Sequence, residues 1–325
     1  MLRAVRRVAP PGERDVEVLG VFSGFAVVWA VILVGFFVGK KGILGPDARV
    51  TLNRLTFFVA SPALLFKTLS ESDPLSVLGP LLWVALISAF LIMGIYILTT
   101  KWWFKRNLAD QTVGAMSAAT VNSANLGMPI AIYVLGDIGH AAPVILFQLA
   151  ILTPINLAML DAATSKNPTT LRSIIGQSFR NPMIVGSLSG LAVALMQVEI
   201  PQVLKDPIDL IAGASIPAML IAFGISLVDS RPLAKSSPFN KDVLVASAMK
   251  LILHPIIAWL IAAFIFRLEG ELLLSAIVMA SLPTAQNVFV NASRYNKGVT
   301  LAKDTVLITT IGAIPAMVAV AVIFQ

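Results

Sequence analysis

Two stretches combine side-chain amides with proline or glycine inside otherwise apolar runs. AMSAATVNSANLGMPIAIYVLGD holds Asn122, Asn125, Gly127 and Pro129, and AIVMASLPTAQNVFVNASRYN holds Pro283, Gln286 and Asn287. Proline removes a backbone donor and disturbs the carbonyl four residues back, and glycine loosens a helix, so continuous helix is not expected at either place. A broken helix presents an N-terminus whose free amides and roughly half a unit of positive charge suit a carboxylate. Asn122, Asn125, Gln286 and Asn287 are expected to cap the broken ends. Together with Gly127, Pro129 and Pro283 they are the candidate binding residues for an organic anion. The simpler alternative is a pair of proline kinks whose amides bond neighbouring helices.

Lys250 and His254 are candidates for a proton relay. Lys250 lies close enough to the end of its apolar run to snorkel out. His254 precedes Pro255 and either bonds a carbonyl that the proline frees or titrates near neutral pH. Lys67 and Glu71 stand four residues apart, the spacing of an exposed helical ion pair. No cysteine and two histidines exclude a disulfide framework, a thiolate metal site and a histidine-rich one, and leave little from which to build a catalytic cluster. No enzyme activity, cofactor or metal is expected.

The elements that position these residues are membrane helices. Of 325 residues 57% are hydrophobic and only 13% charged, and the mean hydropathy is +0.87, outside the range of soluble domains. A hydrocarbon core about 30 Å thick needs roughly 20 helical residues per crossing. Ten segments fit, near 18–38, 51–70, 76–99, 111–134, 143–160, 182–198, 207–228, 243–266, 272–291 and 300–323. The organisation expected is a tail over 1–17, a five-helix unit over 18–160, a connection over 161–181 and a second five-helix unit over 182–323.

The net charge of +7 reads as topology, with no nucleic-acid partner, because the basic residues sit in short connections between apolar runs. Sixteen of the 24 Lys and Arg fall on one alternating side and six on the other. The sixteen mark the cytoplasmic face and put both termini outside. Pro62 and Pro217 are 155 residues apart and Pro129 and Pro283 are 154 apart, so the halves keep register. An odd number of crossings per half makes the repeat inverted.

These motifs resemble the auxin efflux carrier family, which includes plant PIN auxin transporters and bacterial malonate and malate permeases. Asn122 and Pro129 in VNSANLGMP are similar to the first crossover of that family, and Pro283 and Asn287 in SLPTAQNVFVNASRYN to the second. RNPMIVGSLSGL and ASIPAMLIAFGISL are similar to further family signatures. The resemblance implies an all-α integral membrane protein of ten transmembrane helices, two inverted five-helix repeats with broken crossover helices 4 and 9, like bile-acid symporters and sodium-proton antiporters. It implies a scaffold of segments 1, 2, 6 and 7, a moving unit of 3–5 and 8–10, a homodimer in lipid, and an anionic substrate at the crossover. The short connection between halves favours the bacterial type, in the inner membrane. A sodium-coupled bile-acid-type symporter and a non-transporting sensor on the same fold are the alternatives.

Overall fold

The computed structural model describes residues 11–73, 77–164, 176, 180–228 and 239–324. Residues 1–10 of the expected tail, and most of the expected 161–181 connection, lie outside the described residues. Among the described residues all regular structure is helical, apart from one isolated antiparallel bridge between Val121 and Thr284. Pro80–Phe104, Ile138–Thr164, Gln202–Ser226 and Asn240–Ile265 are long and apolar enough to cross a bilayer, and Ala26–Lys40, Pro182–Met196 and Gly270–Ser281 are shorter apolar helices. The chain is therefore an all-helical membrane protein.

Prolines within helical runs are absorbed in a common way. Wide π-helical turns at Thr56–Ala60, Ser123–Gly127, Gln148–Leu152 and Met249–Leu253 immediately precede the helices that begin Ser61-Pro62, Met128-Pro129, Thr153-Pro154 and His254-Pro255. The wider turn moves the preceding carbonyls out of the path of the proline ring and needs no bond from its missing N–H. Pro129 thus widens its helix without breaking it, contrary to the expectation from sequence. The interruption lies upstream, at Thr120–Asn122.

Two helix pairs approach backbone to backbone. Pro11–Lys40 packs on Ser215–Ser226, and Ser61–Ser70 on Pro182–Met196. A Cβ on Gly224 would strike the Ile32 carbonyl, and one on Gly186 would strike the Pro62 carbonyl, so both positions require glycine for this approach. Between the two pairs, the hydroxyls of Ser61 and Ser215 meet at 2.9 Å. Lys67 does not pair with Glu71. It bonds Asp209 at 2.9 Å while Glu71 bonds Lys205 at 2.7 Å. The i,i+4 pair is replaced because a second helix, Gln202–Gly213, lies alongside and offers closer opposite charges. The remaining helices pack around three further apolar clusters, with Pro80–Thr99 on Leu108–Ala119, His254–Leu260 on Gly270–Ser281 and Asn240–Ala248 on Val299–Phe324.

Candidate functional site

Two helices are interrupted, each for a local reason. Leu108–Ala119 ends where Thr120 turns extended, and the chain re-enters helix after Asn122, whose side chain caps the new start. Gly270–Ser281 ends at Leu282, which precedes Pro283 and is extended with ψ 146°, as the proline ring requires of the residue before it. Helix resumes at Gln286. The gaps lie side by side. Asn122 N donates to the Pro283 carbonyl at 2.8 Å, and Ala285 N donates to the Thr120 carbonyl at 3.1 Å. Each break satisfies backbone groups the other exposes, which removes a cost of several kcal/mol per group at membrane depth.

Side chains that the sequence did not single out complete the pairing. The Gln148 amide accepts from Val121 N at 2.8 Å and donates to the Val121 carbonyl at 3.0 Å. Thr284 donates through its hydroxyl to the Ser117 carbonyl at 2.6 Å, and its N–H donates to the Thr309 hydroxyl at 3.1 Å. Lys250 is fully buried and donates to the Ala280 carbonyl at 3.3 Å. It does not snorkel, because it sits in the Met249–Leu253 turn facing the end of the interrupted helix, where a carbonyl accepts its ammonium or amine hydrogens. His254 does not bond a carbonyl freed by Pro255. Its Nδ1 lies 2.7 Å from Lys250 Nζ and its Nε2 3.2 Å from the Ser88 hydroxyl.

The expected amide caps divide. Asn122, 2% exposed, accepts from Asn125 N at 3.4 Å, while its own Nδ2 is buried without a hydrogen-bond partner. Asn125 is half-buried, and the bond recorded for it at the break uses its backbone. Gln286 caps neither break but reaches the Ser226 hydroxyl at 3.1 Å. Asn287 is exposed. Gly127 faces Met279 and Leu282, and its lack of a side chain lets the two interrupted helices close on each other. Pro129 is buried one turn beyond. The structure therefore brings Asn122, Gly127 and Pro283 together and places Gln286 and Asn287 elsewhere.

Gln286 opens onto a cavity of about 230 Å³ that also takes in Ser226, Phe289, Thr310, Arg49 and Lys303. The Gln286–Tyr295 helix starts at this wall with no side-chain cap, so its first amides and dipole add to the two cations. Asp304, 3.6 Å from Lys303 Nζ, offsets part of that charge. A third basic residue is structural. Arg106 holds the buried Asp242 carboxylate with two bonds, at 3.1 and 2.7 Å, and lies over the Phe239 ring. The bond to Asp242 raises the Arg106 pKa above its ordinary value.

The family model described as membrane transport protein matches residues 21–321. The chain belongs to this family. It is the auxin efflux carrier family whose motifs the two interrupted segments resemble. A Rhizobium meliloti protein provisionally named a malonate transporter is 28% identical, over 91% of this chain and 92% of that one. The Escherichia coli protein named uncharacterized transporter YfdV is 25% identical, over 82% and 85% of the two chains. An uncharacterized transporter of Methanothermobacter thermautotrophicus is also 25% identical, over 87% and 92%.

In this membrane transport protein the polar interior carries more side chains than the sequence signals. Gln148 was detectable as the lone amide in ILFQLAIL. Arg49 and Lys303 counted only toward topology, because nothing in one dimension brings Ala48–Leu55 near Val299–Phe324.

Proposed function

We propose that this membrane transport protein moves a small organic carboxylate across the cell membrane by alternating access, with a malonate- or malate-like dicarboxylate preferred over an aromatic acid such as auxin. The observation that carries this reading is the Arg49–Lys303–Gln286 cavity, where two cations, an amide and an uncapped helix start surround about 230 Å³. Charges of this kind 4 Å from an anion are each worth about 4 kcal/mol near a protein surface before desolvation is subtracted. Two of them match two carboxylates better than one. The provisional name of the Rhizobium meliloti relative supports the same substrate class.

The wider mechanism follows from that reading. Ten crossings form two inverted repeats, with the basic connections in the cytoplasm and both termini outside, in the inner membrane of a bacterial type of cell. Segments 1, 2, 6 and 7 act as the scaffold through which two copies pair. Segments 3–5 and 8–10 move as the elevator, carrying Asn122, Asn125, Gly127, Pro129, Pro283, Gln286 and Asn287 past it. Glycine-mediated packing supports the scaffold, since the pairings 1 with 7 and 2 with 6 exchange under the proposed repeat. Lys250 and His254 give the moving unit a proton relay.

Calorimetry on the purified protein tests the substrate class. Malonate or malate is expected to bind and to be displaced by other short dicarboxylates. If indole acetate or benzoate binds while both dicarboxylates do not, the dicarboxylate preference is lost, and if amines compete best, the anion reading is lost with it.

A further inference from the structure

We infer that a proton-access path runs from exposed carboxylates through His140 and Ser275 to the Lys250–His254 pair behind the helix breaks. His140 has no place in the site described above, and its position invites the question of what it does. The chain has two histidines in 325 residues, and both line one cavity, together with Ser88, Gln148 and Ser275 in an otherwise apolar wall. Chance placement of polar groups in such a wall is disfavoured, because a buried polar side chain without partners costs several kcal/mol in a membrane interior.

The outer end of the path is wet. His140 Nε2 lies 3.5 Å from Glu271 and 3.9 Å from Asp137, whose side chains are 65% and 62% exposed. Its Nδ1 is hydrogen-bonded to the Ser275 hydroxyl. Imidazole can take a proton on one nitrogen and release one from the other, so it passes a proton inward while the carboxylates hold it near its entrance. The inner end begins at Ser88, whose hydroxyl lies 3.2 Å from His254 Nε2, and continues from His254 Nδ1 to Lys250 Nζ across 2.7 Å.

The cavity between the two ends holds about 20 Å³. A single water needs about 10–15 Å³ of such space. Ser88 and Ser275 are both on its wall, and a water held between their hydroxyls is the link that the path requires. A proton taken from bulk at Nε2 of His140 leaves from Nδ1 to Ser275, crosses by water to Ser88, enters His254 at Nε2 and leaves from Nδ1 for the Lys250 amine. Each hydroxyl and ring returns to its starting proton count, and one proton is added at Lys250. The titratable groups on the elements around the cavity are Tyr96, Asp110, Asp137 and His140, Lys250 and His254, and Glu271, of which Tyr96 and Asp110 do not line it. A charge gained at Lys250 meets the Ala280 carbonyl, three residues before Pro283, so the proton arrives where the broken helices pair.

The use of this path rests on the transport reading, but its existence does not. Protein labelled with ¹⁵N-histidine in nanodiscs gives two imidazole signals, one per histidine, and the exchange of the His254 ring proton with D₂O can be timed directly. His140→Gln, and separately Ser275→Ala, are expected to slow that exchange at least tenfold while leaving the His254 chemical shift in place. Ser275→Ala removes one hydroxyl, so it covers the case in which His140→Gln fails to fold. Exchange at the wild-type rate in a folded variant would overturn the path. Absence of any anion uptake by wild-type protein would sink the transport reading and leave the exchange result standing, so the two failures are separable.

Discussion

Ser61 and Ser215 share a hydrogen bond of 2.9 Å across 154 residues of sequence, the offset that also separates Pro129 from Pro283. Pro62 and Pro217 in the same two segments are 155 apart, so Ser215 stands one residue from the counterpart of Ser61, and the contact lies close to where the proposed pseudo-two-fold passes between the second and seventh segments. The cysteine-free chain makes the relation testable. Ser61→Cys with Ser215→Cys should cross-link on mild oxidation and leave uptake within twofold, because both residues belong to the proposed scaffold. Ser226→Cys and Gln286→Cys, bridged by a bifunctional thiol reagent long enough to replace the Gln286 side chain that now reaches the Ser226 hydroxyl at 3.1 Å, tie the proposed scaffold to the proposed moving unit and should abolish uptake. Full uptake in the bridged 226–286 protein would exclude elevator motion.

Arg49→Gln and Lys303→Gln should each weaken dicarboxylate binding at least tenfold, equivalent to about 1.4 kcal/mol, with the thermal midpoint nearly unchanged. The loss should be greater for a dicarboxylate than for a monocarboxylate of similar size. Equal losses for both would mean that the cations set general anion affinity only.

Gln148→Leu should destabilise the fold, because the Val121 N–H is left buried and unpaired, at about 1–3 kcal/mol, while the Val121 carbonyl keeps the Ser123 N–H at 2.8 Å. Asn122→Ala removes one long cap bond, costing about 1 kcal/mol, and should cut substrate affinity tenfold or more if its unpartnered Nδ2 serves the substrate. Thermal denaturation and binding measured on the same preparations separate the two residues. A larger stability loss from Asn122→Ala than from Gln148→Leu would reverse the roles assigned here.

The orientation is checked with an impermeant thiol reagent on intact cells. A Cys placed at Gly139 should be labelled and a Cys placed at Ser236 should be protected. The opposite pattern places the basic connections outside.

Much of the helical organisation was legible because it depends on local chemistry. Apolar length located the four helices long and apolar enough to cross a bilayer among the described residues, and Pro283 located one interruption, since a residue before proline is pushed out of the helical region. Pro129 misled because a widened turn over Ser123–Gly127 accommodates it, a response that depends on room in the surrounding packing. Asn122 was recognisable as a cap at short range. Gln148 was visible as a lone amide but its partner was not, and Thr284 and Thr309 gave no signal, because each bonds a segment more than twenty residues away. For the same reason Lys67 looked like the partner of Glu71 until a second helix supplied Asp209 and Lys205.

The most direct measurement is uptake of labelled malonate by purified protein in liposomes, with proton and sodium gradients imposed separately. Saturable uptake that malate inhibits, that falls at least tenfold in Arg49→Gln, and that an inward proton gradient drives is the expected result. Uptake that depends on sodium in proton-clamped vesicles would contradict proton coupling, and the absence of saturable uptake for every small carboxylate under either gradient would contradict the proposed function itself.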